Sequence, residues 1–312
     1  MTIIKYKKIF FIVTAIFIVA AIASISFFGL SVSIDFTGGS IFEINYSAER
    51  PTKAALEERL SGEGINGFSV RPLGDRGFII RTPEAGDDER AKVASAISWE
   101  SYESSIDRFS SIGPTVGSEL KTKALIAIIV VLLIIIFYIA YTFRKVGGEK
   151  DSVSARTEVE TLPSSLKYGL TAIITLGHDI IVPAGAFAVY GYFTGAQADV
   201  LFVMALLAIL GYSVNDTIVI FDRVRENLLN NKKDNHKETF DETVGKSLSQ
   251  TYARSINTSL TTLFVLITLF FIGSETTAAF AFTLLVGVIA GSYSSICFAA
   301  PLLTSFAKKT HN

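Results

Sequence analysis

Long apolar runs dominate the pattern of hydrophobic and polar positions along the chain. A helix that spans a bilayer needs about 20 consecutive, predominantly apolar residues, and six stretches of the sequence qualify. The pattern therefore predicts a polytopic α-helical membrane protein. The predicted spans cover approximately Ile9–Phe28, Ala124–Phe143, Gly169–Tyr190, Val200–Phe221, Ile256–Ile272 and Ala278–Leu303.

A polar segment separates the first two spans, and its pattern alternates between strand-like and helix-like. The alternation in "SIFEINY" is typical of a strand, and "PTKAALEERLSGEG" has proline near a helix start and glycine at its end. Two further strands flank the turn at residues 74–77, a second helix follows in "DDERAKVASAIS", and "SYESSIDRFSSIG" supplies a last strand. The order βαββαβ predicts a small α+β domain of the ferredoxin-like type.

The predicted organisation has three parts. Residues 1–29 form the cytoplasmic N-terminus and first span, and residues 30–123 form the extracytoplasmic domain. Residues 124–312 form a five-helix membrane domain with cytoplasmic loops at 144–168 and 222–255.

Basic residues predict the orientation of the chain, because short cytoplasmic loops are rich in Lys and Arg. The short segments 191–199 and 273–277 contain neither residue, whereas both termini and the loops on the other side contain several. Both termini are therefore predicted to be cytoplasmic. The first span is predicted to be a retained signal-anchor, since its apolar core is about twice as long as that of a signal peptide.

Composition adds little to this picture. Hydrophobic residues make up 50% of the 312 positions, and the formal net charge is -1. We predict no nucleic-acid partner and no metal site. The one cysteine, Cys297, falls in the sixth span, so the outer domain is predicted to contain no disulfide.

Polar and ionisable residues inside the predicted spans are the candidates for function, because a charge in the hydrocarbon costs about 3 kcal/mol or more. The third span contains His178 and Asp179, and the fourth contains Asn215 and Asp216. Arg254 begins a polar stripe at helical spacing in the fifth span, which we expect to face the inside of the bundle. The stripe consists of Arg254, Asn257, Thr258, Thr261 and Thr268.

Asp216 and Arg254 are predicted to form a proton relay. Burial and a nearby guanidinium act in opposite directions on a carboxyl group, so a group balanced between them loads and releases a proton as helices move. Arginine stays charged and serves as the counter-ion. Structural alternatives stay open: Arg254 extends to the inner interface, Asp216 accepts an interhelical hydrogen bond, and His178 with Asp179 forms a structural pair. The charged segment 222–226 is predicted to be an inner-surface cluster with pairs within the helix.

Two glycine-containing motifs flank the outer domain. "DFTGG" follows the first span, and "IGPTVGSEL" precedes the second. Glycine permits tight turns, so both motifs are candidate hinges, and a rigid junction is equally compatible with them. The candidate residues are Asp35, Gly38, Gly39, Gly113, Pro114 and Gly117.

Four motifs in order, "IDFTGG", "IGPTVGSELK", "LGHD" and above all "GYSVNDTIVIFDRVREN", resemble the SecD/SecF family of bacterial protein-export subunits. This family belongs to the resistance-nodulation-division superfamily. The N-D-T-I-V pattern and the short outer domain resemble its SecF branch. The resemblance implies essential roles for Asp216 and Arg254, although Ser255 follows the arginine where the family pattern has threonine.

The resemblance also implies partners and a location. It implies a SecD-like subunit, the SecYEG channel, a translocating preprotein and membrane lipid as partners, in the bacterial cytoplasmic membrane. Proton flow is the implied driving force, with no other cofactor and no enzymatic activity.

Two other functions are compatible with parts of the sequence. A related exporter of lipids or drugs has the same kind of membrane helices, but such proteins generally have much larger outer domains. An intramembrane aspartyl protease would use Asp179 and Asp216 as a catalytic dyad. The Gly-x-Gly-Asp context favoured by those enzymes is missing here.

Overall fold

The computed structural model describes residues 2–83, 86–99, 102–143, 165–234 and 238–306. All but the last four residues of the predicted linker 144–168 lie outside the described residues. The chain divides into two compact units. The membrane unit comprises Met1–Leu30, Ala127–Ala196 and Leu201–Asn312, and the outer unit comprises Ser31–Ile126 and Gln197–Val200.

The described residues form the following elements. The helices are α1 Thr2–Lys5, α2 Lys7–Phe28, α3 Ile34–Thr37, α4 Lys53–Gly62, α5 Asp87–Ile97, α6 Pro114–Thr142, α7 Ser165–Thr194, α8 Val200–Lys233, α9 Phe240–Ile272, α10 Glu275–Tyr293 and α11 Ala300–Phe306, with a π-helical turn at Ser294–Ala299. The strands are β1 Gly39–Tyr46, β2 Ser69–Leu73, β3 Gly77–Thr82 and β4 Ser104–Ile112.

Six helical stretches of the described chain are long and apolar enough to cross a membrane. The chain is therefore a multi-pass membrane protein, and the predicted number of spans is confirmed. The spans are Lys7–Phe28, Pro114–Thr142, Lys167–Thr194, Val200–Lys233, Phe240–Ile272 and Thr276–Phe306.

The prediction of a cytoplasmic loop at 222–255 is wrong, since most of this segment is helical. α8 continues to Lys233, and α9 already begins at Phe240. A capping box starts α9: the Thr239 hydroxyl accepts from the Glu242 N–H at 3.3 Å, and the Glu242 carboxylate accepts from the Thr239 N–H at 2.9 Å. The hydropathy pattern did not predict these polar ends of α8 and α9, because a polar helix and a polar loop have the same low hydropathy.

The outer unit contains the predicted ferredoxin-like domain. Its strands pair antiparallel in the order β2-β3-β1-β4, with α4 and α5 between strands in the chain order βαββαβ. Side chains alternate along a strand, so one face of the sheet and the two helices together bury a core. This core consists of Phe42, Ile44, Tyr46, Leu56, Leu60, Ile65, Val70, Phe78, Ile80, Val93, Ala96 and Ile97.

Asp35 lies in a short helix, α3, within the entry motif of the outer unit. Ser33 caps this helix, because its hydroxyl accepts from the Asp35 N–H at 3.4 Å. The Asp35 carboxylate instead accepts from the Val200 N–H at 3.1 Å, at the first residue of α8. A negative charge is favourable at a helix N-terminus, so Asp35 stabilises the backbone at Val200, which belongs to the same unit.

The glycines of the entry and exit motifs pack against each other in the outer unit. Gly38 and Gly39 have positive φ values of 77° and 120°. A Cβ atom on Gly38 would lie 2.7 Å from Cα of Pro114, and one on Gly117 would lie 2.7 Å from the backbone nitrogen of Gly38. Such close backbone contact leaves no room for a side chain at Gly38 or Gly117 within the outer unit.

Small residues also allow close helix packing in the membrane unit. Gly185 of α7 lies directly against Ala21 of α2, and a Cβ on Gly291 of α10 would lie 3.0 Å from the Ser213 Cβ of α8. Short approach of this kind is typical of membrane helix interfaces. In this unit α8 forms side-chain hydrogen bonds with α7 and with the π-helical turn that follows α10.

We expect Gly117→Ala to destabilise the protein by about 1–3 kcal/mol, because the added methyl group enters a filled contact. The measurement is the heating midpoint at which the detergent-purified protein loses its monodisperse elution peak. Gly62→Ala is the matched control, since an added Cβ there has no neighbour within 4 Å. The control is expected to be neutral or stabilising by up to about 1 kcal/mol, and equal midpoints for the two variants would contradict the close packing of Gly117 against Gly38.

Candidate functional site

Asp216 lies on the buried face of α8. Buried positions recur every three or four residues along this helix, as expected for a face that packs on neighbouring helices. Asp216 itself is only 4% exposed. The helical period therefore carries a carboxyl group into the membrane unit together with apolar residues. The buried residues of α8 from its middle onward are Ile209, Leu210, Ser213, Asp216, Thr217, Ile220, Phe221, Val224 and Asn227.

One oxygen of Asp216 has no hydrogen-bond partner within the described structure. Oδ2 is buried and unbonded, and so is the hydroxyl of Ser255 on α9. On α9, the Ser255 hydroxyl faces this carboxyl group as a hydrogen-bond donor without reaching normal hydrogen-bond geometry, and the charge of Arg254 also acts on it. Buried polar atoms are nearly always bonded, so this unbonded carboxyl oxygen is an exception that calls for an explanation.

Arg254 lies beside this site but points away from the bundle. Arg254, Asn257 and Thr258 are exposed in the single chain, so the expectation that their stripe faces inward is wrong for this chain alone. α9 has polar residues on two faces, and the face with smaller side chains is the one that packs. The polar residues on the packed face are Thr243, Ser247, Thr251, Ser255 and Ser259.

No ion pair within 4.0 Å joins Asp216 to Arg254 among the described residues. Their interaction is therefore one of proximity and charge, not of a formed salt bridge. Its strength depends on the separation of the two groups, which a movement of α8 or α9 would change.

A pocket of about 290 Å³ opens between α8 and α9 next to Arg254. Arg223 crosses it, with Nη1 donating to Glu226 at 2.5 Å and Nε donating to Gln250 at 2.7 Å. The Arg223–Glu226 pair and the Arg225–Asp222 pair at 3.7 Å confirm the predicted charge pairs within the helix. The pocket is lined by Val219, Asp222, Arg223, Glu226, Gln250, Thr251 and Arg254.

His178 and Asp179 form a buried pair on α7. His178 Nδ1 and Asp179 Oδ1 are 2.8 Å apart, and the Ser213 hydroxyl of α8 donates to Asp179 Oδ2. Both Asp179 oxygens are thus bonded, and neither is bonded to Asp216. A protease dyad shares a proton between two carboxyl groups, so this arrangement counts against the protease alternative.

The remaining predicted residues are not part of this arrangement. Asn215 is exposed on the side of α8 opposite to the packed face. The junction residues, from Asp35 to Gly117, belong to the outer unit. Three or more His, Cys, Asp or Glu side chains never come together as a metal site among the described residues.

Sequence reasoning missed two hydroxyl residues of the site. Ser255 is 1% exposed beside Asp216, and Ser295 in the π-helical turn bonds to α8. A signal for the first was present, because Thr251, Ser255 and Ser259 recur at i+4 spacing and small polar residues mark contact faces in membrane helices. The role of Ser295 depends on a π-helical turn, which the sequence pattern does not predict.

Known proteins match nearly the whole chain. A family model described as "Protein export membrane protein SecD/SecF, C-terminal" matches residues 93–150 and 163–309. The chain belongs to the SecD/SecF family. Among relatives of this family member, a "Protein translocase subunit SecF" from Thermobaculum terrenum is 35% identical over 98% of this chain and 94% of its own length. Another from Anaerolinea thermophila is 34% identical over 95% of this chain and 91% of its own length.

A solved structure supports the same assignment. The crystal structure of SecDF from Thermus thermophilus, described as a translocon-associated membrane protein, aligns with a TM-score of 0.78 at 26% sequence identity. The alignment covers 98% of this chain and 38% of the SecDF chain. A SecDF structure in a "super-membrane-facing form" aligns at 0.62 and 28% identity. This SecD/SecF member therefore corresponds in fold to one part of SecDF.

The exposure of Arg254 predicts a difference in chemical accessibility between neighbouring positions. In a Cys297→Ser background, we expect Arg254→Cys to react with a charged, water-soluble maleimide on the order of tenfold faster than Ser255→Cys, because thiol reactivity requires access. The measurement is labelling of the purified single chain over time. Equal labelling rates would contradict the assignment of the two residues to different faces of α9.

Proposed function

We propose that this chain is a SecF-like accessory subunit of Sec protein export. It pairs with a SecD-like subunit and uses the proton motive force to assist a preprotein through the SecYEG channel. Near-full-length similarity to proteins named translocase subunit SecF supports the export role. The SecDF structures support a SecD partner. The observation that carries the proton role is the buried Asp216 with its unbonded oxygen beside Arg254.

In the proposed cycle, Asp216 binds a proton and later releases it on the other side. As a neutral acid it needs no counter-ion, and after release its charge is matched by Arg254, which stays protonated throughout. Because the Coulomb energy depends on separation, movement of α9 relative to α8 changes the affinity of Asp216 for its proton. Proton passage is thereby coupled to helix movement.

The pocket beside Arg254 supports a release path toward the cytoplasm. Charged residues line its wall, and such a lining keeps water in contact with the inner end of the site. With the predicted orientation, both termini and this pocket are on the cytoplasmic side of the bacterial cytoplasmic membrane. Proton flow is then inward, down the proton motive force.

The exposed face of α9, which carries Arg254 and Asn257, supports contact with the SecD-like partner. Within the described part of the chain, the exposed side chains of Arg254 and Asn257 have no hydrogen-bond partner, whereas Thr258 donates back to the Arg254 carbonyl at 2.9 Å. Unpaired charge and amide groups are expensive against lipid. A partner helix that covers this stripe would remove that cost and would place Arg254 inside the completed bundle.

We expect Asp216→Asn to abolish the part of export that depends on the proton gradient and to leave the ATP-driven part in place. Asparagine keeps the size of the side chain but neither gains nor loses a proton. The measurement is export of a secretory precursor into vesicles containing the full complex, with and without a proton gradient.

Asp234→Asn is the matched control for this experiment. It also removes a carboxyl group, from an exposed position just after α8, and is expected to behave like the unaltered protein. Full gradient-dependent stimulation in Asp216→Asn would refute the proton role of this residue.

Arg254→Lys tests the second half of the relay. Lysine keeps the charge but loses the planar guanidinium and its fixed set of donors, so we expect most of the gradient-dependent stimulation to be lost. Arg225→Lys is the control, because Arg225 pairs locally with Asp222 on the surface of α8. Near-normal export with Arg254→Lys would favour an arginine that merely reaches the inner interface.

A further inference from the structure

The α8 turn that contains Asp216 is held from two sides. On one side, the Ser213 hydroxyl donates to Asp179 of α7. On the other, Ser295 of the π-helical turn donates to the Ser213 carbonyl at 3.3 Å and lies 2.9 Å from the Thr217 hydroxyl. Ser213 and Thr217 flank Asp216 in sequence. The residues before and after Asp216 are therefore fixed, while its own Oδ2 is unbonded.

Close packing makes these hydrogen bonds possible and leaves the bonded side chains little room to move. Gly291 of α10 is so near to α8 that a side chain there would touch the Ser213 Cβ at 3.0 Å. The π-helical turn follows directly after α10, and an extra residue per turn changes the direction in which Ser295 points. Ser213, Thr217 and Ser295 are all nearly inaccessible to solvent.

The His178–Asp179 pair is suited to a fixed role. Asp179 is fully buried and accepts from Ser213 and pairs with His178, with both oxygens in use. His178 lies about 6 Å from the rings of Tyr293 and Phe298, and its Nε2 is buried without a partner. Because both oxygens are engaged by partners on α7 and α8, Asp179 is held in place as the acceptor for the Ser213 hydroxyl.

We propose that Asp179, held by His178, is a positioning residue that acts through Ser213 to hold the α8 turn so that Asp216 stays directed toward α9. This inference rests on the proposed function, in which Asp216 carries the proton. The titratable groups near this turn include His178 and Asp179 of α7, Tyr212 of α8, Arg254 of α9, Tyr293 of α10 and Cys297 of the π-helical turn. Among these, Arg254 acts on Asp216 through its charge. The bonds from Ser213 to Asp179 and to Ser295, here called the clamp, set the geometry of that interaction.

The test is a pH titration of Asp216, monitored by infrared spectroscopy on the chain with its SecD-like partner in lipid nanodiscs. The carboxyl band of Asp216 is assigned by its loss in Asp216→Asn. We expect Ser213→Ala and Asp179→Asn each to shift the midpoint of this band by about one pH unit or more, a tenfold change in proton affinity. Asp179→Asn retains one acceptor oxygen in place of two.

Two comparisons separate positioning from a purely structural effect. Thr175→Val removes another buried hydroxyl of α7, one that donates to the Thr171 carbonyl at 2.8 Å and not to α8, and is expected to leave the midpoint unchanged. The double variant Ser213→Ala with Asp179→Asn is expected to shift the midpoint no further than the larger single shift, because both changes break the same bond.

The outcomes are distinguishable. An unchanged Asp216 midpoint in Ser213→Ala would overturn the positioning role, even if the variant lost thermal stability. If Asp179→Asn fails to accumulate, Ser213→Ala decides the question, because it breaks the same bond from the other side. A shifted midpoint combined with full gradient-dependent export in Asp216→Asn would leave the clamp intact and would refute the proposed proton function instead.

Discussion

Polar groups inside a bilayer must find their partners within the protein, and this constraint organises the membrane unit. Helices satisfy the backbone, and many hydroxyl groups donate to the carbonyl one turn earlier, as Thr175 does. Hydroxyl groups between helices occur in bonded pairs, with Ser259 and Ser292 at 2.6 Å. Four buried side-chain atoms of the described membrane unit depart from this rule: Asp216 Oδ2 and the hydroxyl of Ser255 at the candidate site, His178 Nε2 on α7, and the hydroxyl of Tyr168. The candidate site therefore combines an unbonded carboxyl oxygen and an unbonded hydroxyl group on neighbouring helices.

Hydrogen bonding between the helices of this bundle depends on their close packing. A hydroxyl group reaches a neighbouring helix only when the two backbones are near, and small residues permit that approach. Gly291 at Ser213 is the clearest case, because the same contact brings the following π-helical turn, and with it Ser295, to α8. Removal of a glycine here would change the environment of Asp216 without touching it.

The fold was predictable from sequence because its signals are local. Long apolar runs define the spans, and alternation, turn residues and helix caps define the βαββαβ domain. The contact face of α9 was not predictable in the same way. Arg254 with Asn257, and Ser255 with Ser259, both recur at helical spacing, and periodicity alone does not say which face packs. Neighbouring helices decide this, and their positions depend on residues far away in sequence.

At the candidate site too, the features with a local sequence signal were predictable and the contacts between distant residues were not. Asp216 could be selected from sequence because a carboxyl group in an apolar helix is costly, and the capping box at Thr239 and Glu242 could have revealed the early start of α9. The bond between Ser213 and Asp179 links residues on different helices, and a single sequence contains no direct signal for it.

Arg254 makes the site depend on assembly. Its side chain is exposed in the single chain, yet it interacts with the buried Asp216. In the proposed complex, a SecD-like partner would cover the face of α9 that carries Arg254, remove water from the guanidinium and so strengthen its interaction with Asp216. Linkage then works in both directions: partner contact changes the proton affinity of Asp216, and protonation of Asp216 changes the contact by the same free energy. In the proposed complex, the Arg254–Asp216 interaction would thus couple proton binding to the subunit interface.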